Sequence, residues 1–102
     1  MNPNLIRQIK QMQEEIQKVQ KDIENTIFTF SSGGIVTVEM SGNKEIQKII
    51  ISDEFELKTK EDKELLADMI TVAARNAVNE INKIMQNKLS KYAPYLNQTG
   101  MF

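Results

Sequence analysis

Five cations are the side chains best suited to chemistry in this chain, and they fall in two stretches free of acid. Residues 1–13 hold Arg7 and Lys10, and residues 81–102 hold Lys83, Lys88 and Lys91. Guanidinium and ammonium groups without carboxylate neighbours attract anions, phosphate above all. The chain has net charge −1, so these stretches, at +5, leave −6 for the remainder. The acid concentrates at Asp53, Glu54, Glu56, Glu61, Asp62, Glu64 and Asp68. Such asymmetry speaks of partners rather than of fold. Two readings stand: an anion-binding surface, or solvated helix faces whose lysines complement a helix C-terminus.

Other chemistries lack their residues. There is no histidine and no cysteine, which removes the usual neutral-pH acid/base, the thiolate metal site and the disulfide. Ser31, Ser32 and Ser41 have no histidine to activate them. Gly33-Gly34 is followed by no Lys-Ser/Thr pair, so it is not a phosphate loop. Asp53, Glu54 and Glu56 match no calcium-loop spacing and read as a solvated connection. The expectation is a non-enzymatic protein with no catalytic residue, cofactor or metal. The longest apolar run is Ile49-Ile50-Ile51, and the polar N-terminus has no signal-peptide core. These features predict a cytoplasmic protein with no membrane or small-molecule partner.

The cations must be positioned by the elements that carry them. Leu5, Ile9, Met12, Ile16, Val19 and Ile23 follow a 4-3-4-3-4 spacing, the seam of a coiled coil. This predicts a helix from about Asn4 to Asn25, roughly 33 Å long. Three strands follow, over Thr26–Phe30, Ile35–Met40 and Ile46–Ile51, joined by turns at Ser31–Gly34 and Gly42-Asn43. Alternation puts Phe28 and Phe30 on one face and Ile27 on the other, and groups Val36 with Val38 and Met40. In the third strand it puts Ile49 and Ile51 on one face, Ile46 and Ile50 on the other. Two apolar faces imply cover from a second subunit, with Ile27, Ile46 and Ile50 as candidate dimer contacts.

A second helix is predicted from Thr59, through a T-x-x-D capping box with Asp62, to about Tyr92 before Pro94. Its first half shows a broad apolar face containing Leu65, Leu66, Met69, Ile70, Val72, Ala73, Ala74 and Ala77, suited to a sheet. Val78, Ile81, Met85, Leu89 and Tyr92 then form a narrow stripe, suited to the first helix. Antiparallel pairing of the two helices predicts a protruding arm, with all five cations converging on its free end. Residues 93–102 show no periodicity and read as a flexible tail. The fold expected over residues 1–102 is a single α+β domain, α-β-β-β-α, and dimeric.

Three segments carry a family resemblance. They are K-Q-M-Q-E-E-I-Q-K-V-Q (Lys10–Gln20), S-G-G-I-V-T-V-E-M-S-G-N-K-E-I-Q-K-I-I-I (Ser32–Ile51) and D-M-I-T-V-A-A-R-N-A (Asp68–Ala77). In order and content they resemble the YbaB/EbfC family of bacterial nucleoid-associated proteins, across nearly the whole chain. The resemblance implies a homodimer with tweezer-like arms that binds double-stranded DNA in the nucleoid and affects gene expression and chromosome organisation. Two departures leave the basic tip untouched. Ser52-Asp53-Glu54 stands where the family commonly has Asp-Pro-Glu, and Ala77-Val78 stands where an Asp-Ala pair is common. The DNA-binding residues expected are Arg7, Lys10, Lys83, Lys88 and Lys91, acting on phosphate. From a different class, a coiled-coil-armed adaptor or holdase, prefoldin-like in logic, would grip clients through Met12, Met85 and the apolar tail.

Overall fold

The structure, a computed structural model, describes residues 2–94; most of the expected tail, from residue 95 on, lies outside the described residues. The order is α1 (Pro3–Glu24), β1 (Ile27–Ser32), β2 (Val36–Ser41), β3 (Ile46–Ile51) and α2 (Lys60–Leu89), closed by a 3-10 turn at Ser90–Tyr92. This is the expected α+β arrangement. Pro3 occupies the first turn of α1, where an amide would have no partner, and the Asn2 side chain accepts from the Asn4 amide at 2.9 Å. At the start of α2 the capping box is complete. Thr59 Oγ1 accepts from the Asp62 amide at 3.2 Å, and Asp62 Oδ2 accepts from the amides of Lys58 and Thr59, each at 2.9 Å. The Lys58 amide, then that of Thr59, holds the Asp62 carboxyl below its ordinary pKa.

The strands form an antiparallel meander in the order β1-β2-β3. The first turn is tighter than expected and comprises Gly33 to Ile35, because Gly33 and Gly34 adopt φ of +60° and +70°. Opposite pairs Phe28–Met40, Phe30–Val38 and Ser32–Val36 put the predicted apolar residues on one face. Val36, Val38 and Met40 pack there against Ala73, Ala77 and Ile81 of α2, all fully or almost fully buried. Alanine lets the helix axis approach the sheet closely, and Phe28, Phe30, Leu66, Met69, Ile70 and Val78 close the margin.

β3 departs from expectation. A bulge between Glu39 and Met40 pairs Glu39 with Lys48 but Met40 with Ile46, so Gln47 is the extra residue. Ile46 therefore shares the face of Ile49 and Ile51, opposite Met40, Val38 and Val36, while Ile50 points the other way. Strict alternation grouped Ile46 with Ile50, because it carries no signal for an inserted residue. α2 lies over β1 and β2 and leaves β3 to one side. Every residue of β3 is exposed, including all four isoleucines.

The arm leaves the sheet where α1 meets the β2–β3 turn. The Gly42 amide donates to the Thr26 carbonyl at 2.9 Å. A Cβ on Gly42 would stand 1.8 Å from the Ile23 carbonyl oxygen, so this crossing demands glycine. Beyond it, Ile16, Leu89 and Tyr92 form a second buried cluster, flanked by Met12, Val19 and Met85. The stripe read on the second helix thus divides. Val78 and Ile81 serve the sheet core, while Met85, Leu89 and Tyr92 serve the arm. The resulting body is elongated, 70 × 19 × 16 Å.

Candidate nucleic-acid interface

The register of the arm decides where each cation falls. The Tyr92 hydroxyl donates to Glu15 Oε2 at 3.2 Å, and Leu89 and Tyr92 pack on Ile16, so the end of α2 lies level with residues 15–16 of α1. With a rise of about 1.5 Å per residue, Arg7 stands roughly 12 Å beyond that level and Lys83 roughly 14 Å behind it. The five predicted cations are therefore strung along roughly 26 Å of arm rather than gathered at its tip. The expected convergence on the free end of the arm takes no account of this stagger, which the seam spacing does not encode. Lys83 also projects about 140° around α2 from Lys88, at about 100° per residue.

The individual environments differ. Lys83 Nζ lies 3.4 Å from Glu80 Oε1, an exposed pair worth little to stability but one that offsets its charge. Lys91 Nζ sits 4.9 Å above the centre of the Tyr92 ring, a cation–π contact that orients the ammonium. The ring is itself held by Ile16, Leu89 and the Glu15 bond. Arg7, Lys10 and Lys88 are exposed.

The structure also shows a feature that reading by chain segment missed. Arg7, Lys10, Glu14, Lys18 and Lys21 recur at 3-4-4-3 spacing, which confines them to an arc of about 80° on α1. All five are exposed and lie opposite the buried seam of Ile16 and Ile23. Four cations against one carboxylate make this the most cationic stripe on the arm, about 21 Å long. Along the chain Lys18 and Lys21 are masked by Glu14, Glu15, Asp22 and Glu24, which stand among them. On the helix, Glu15, Asp22 and Glu24 fall about 80–100° from the centre of the stripe. The heptad spacing held the signal.

Among the described residues no cluster of three or more acidic side chains is arranged to hold a metal ion. No helix among them is long and apolar enough to cross a membrane. The geometry defines a class first: a small α+β domain that presents a long two-helix arm with one cationic outer face. The particular family follows from comparison, because residues 1–96 match the YbaB/EbfC DNA-binding family, and the chain belongs to it. A nucleoid-associated protein of Clostridium novyi is 38% identical over 100 residues, covering 97% of this chain and 86% of the relative. A nucleoid-associated protein of Buchnera aphidicola is 37% identical over 95 residues, covering 92% and 91%. The crystal structure of an uncharacterized Helicobacter pylori protein shares the fold at a TM-score of 0.69. It is 23% identical, with 91% of this chain and 98% of that chain covered.

Proposed function

We propose that this chain is a bacterial nucleoid-associated protein of the cytoplasm, working as a homodimer that grips duplex DNA through phosphate contacts. The observation that carries the reading is the exposed α1 stripe of Arg7, Lys10, Lys18 and Lys21 on the arm of a chain in a DNA-binding family. Lys88 at the end of α2 and Lys91 in the 3-10 turn that follows add charge on the other side of the arm. On this reading the contacts are mainly to phosphate, and sequence preference is modest and arises from DNA shape. Binding of this kind organises chromosomal DNA and influences the genes beneath it. The test is binding to a random-sequence duplex across a salt series. Affinity should fall linearly on log–log axes, by about 0.9 per phosphate neutralised. A flat salt dependence would sink the phosphate reading.

The state of β3 supports the homodimer. Ile46, Ile49 and Ile51 extend the core face of the sheet past the edge of α2, at 48%, 39% and 41% exposure. Ile27 and Ile50 lie exposed on the opposite face. An apolar edge strand left open invites pairing, and a twofold partner closes it with the same patch. We expect Ile49→Asp to give monomers in sedimentation at micromolar concentration. Ile50→Asp discriminates between faces, since it has that effect only when the outer face is also buried. Dimers that persist in both variants place the interface elsewhere.

A further inference from the structure

We propose that the N-terminal part of the α1 seam is a docking surface for the chain's own residues 95–102. The stagger of the arm leaves this seam without a counterpart from α2. Pro94, two residues past Tyr92, lies near the level of Met12, and α1 continues for about 14 Å beyond it to Pro3. Over that stretch Leu5 and Ile6 are 47% and 49% exposed and Ile9 is half-buried. The apolar ridge that buries Ile16 therefore continues past the end of its partner helix.

Three observations favour this occupant. The first is reach: eight residues span up to about 26 Å, nearly twice the overhang, starting where the ridge loses its partner. The second is composition. Tyr-Leu-Asn-Gln-Thr-Gly-Met-Phe has apolar pairs at Tyr95-Leu96 and Met101-Phe102, which match Ile9 near the start of the overhang and Leu5 with Ile6 farther out. The third is charge. Lys10, one turn on from Ile6 and about 40° around the helix from it, flanks the ridge on one side, so a second copy of the same tip would bring like charges together. Residues 95–102 carry no charged side chain and avoid that repulsion. Docked there, the segment covers the ridge and leaves the outward stripe of α1 free.

The native chain has no cysteine, so a Leu5→Cys, Met101→Cys variant of the full chain reports proximity cleanly. Mild oxidation at low protein concentration should give an intrachain disulfide, seen as a monomer of faster mobility without reductant. A disulfide linking two chains assigns the surface to a second copy and overturns the proposal. A second full-length variant, with Tyr95, Leu96, Met101 and Phe102 all changed to Ser, tests the contact without cross-linking. Amide exchange over residues 6–10 should quicken about tenfold, with rates in the sheet unchanged. Unchanged exchange in that variant, or the absence of any disulfide in the first, likewise overturns it.

Discussion

Removing two cations from the α1 stripe tests the DNA reading most directly. The stripe is about 21 Å long, and duplex DNA presents one phosphate charge per 1.7 Å of axis, about a dozen over that length. Arg7, Lys10, Lys18 and Lys21 can therefore each meet a separate phosphate. In a dimer, eight such contacts give a log–log slope near −7 from the stripe alone. Lys10→Gln with Lys18→Gln removes four contacts per dimer and should flatten the slope by about 3.6. Salt lines that converge near 1 M then separate by about three to four orders of magnitude at 0.1 M. Glutamine suits the change because it keeps helix propensity close to that of lysine, and both sites are exposed. The control is Lys60→Gln with Lys63→Gln, which removes the same charge from exposed positions at the sheet end of α2. Fluorescence anisotropy on a random duplex, repeated across salt for both variants, reads the slopes. Equal slopes for the two variants refute the stripe, since the effect then follows net charge and not place.

Other consequences separate the parts of the molecule. Lys83→Gln should change the DNA salt slope least among the five cations first singled out, because Glu80 already offsets it and it projects away from Lys88. Gly42→Ala should destabilise by about 3 kcal/mol or more in urea unfolding, since its Cβ meets the backbone of Ile23, which cannot yield. Ile16→Ala, at a site 2% exposed, should cost about 2–5 kcal/mol and loosen the arm, seen as lost helicity by circular dichroism. Asp62 has a folded-state pKa below its unfolded value, so its stabilising contribution is present at neutral pH and is lost as pH falls through the folded value. The stability gap between wild type and Asp62→Asn should therefore narrow in acid, below the ordinary carboxylate range.

Element types were legible because each obeys a local period. The helix that carries the stripe from Leu5 to Ile23, buried at Ile16 and Ile23, the alternation of Val36, Val38 and Met40, and the Thr59–Asp62 box all appear in the structure where the spacing placed them. Two relations were not legible, and both are offsets between elements. A single inserted residue at Gln47 moves Ile46 to the other face, and nothing in the side-chain pattern of β3 marks the insertion. The stagger of the arm depends on how much of α2 the sheet consumes before α1 begins. Ile81 goes to the core, so the arm's share of the stripe starts at Met85, and α1 overhangs by the difference. Four of the five cations thus fall on the two helices and Lys91 in the closing 3-10 turn, at heights the seam spacing does not give. Lys18 and Lys21 show the converse error, since their helical spacing was visible but obscured by neighbours adjacent only along the chain.

A chain of net charge −1 is an unpromising ligand for a polyanion, and the shape of the molecule resolves this. Asp68 lies twenty residues before Lys88 on the same helix, about 30 Å away along its axis. The acids from Asp53 to Glu64 lie farther still from the arm along the chain. The Debye length at physiological ionic strength is about 8 Å, so the sheet-end carboxylates are screened several times over before their field reaches the outer arm. A phosphate at the stripe therefore responds first to Arg7, Lys10, Lys18 and Lys21, opposed by Glu14 on that face and by Glu15, Asp22 and Glu24 at its margins. The same acids repel DNA that approaches the sheet, which leaves the arms as the favoured points of encounter. At low ionic strength the Debye length grows to about 30 Å and the two ends begin to offset each other, so the measured slope should soften below roughly 0.01 M salt. A compact domain with these residues would lack that separation, and the long arm is what lets an acidic chain present a basic surface.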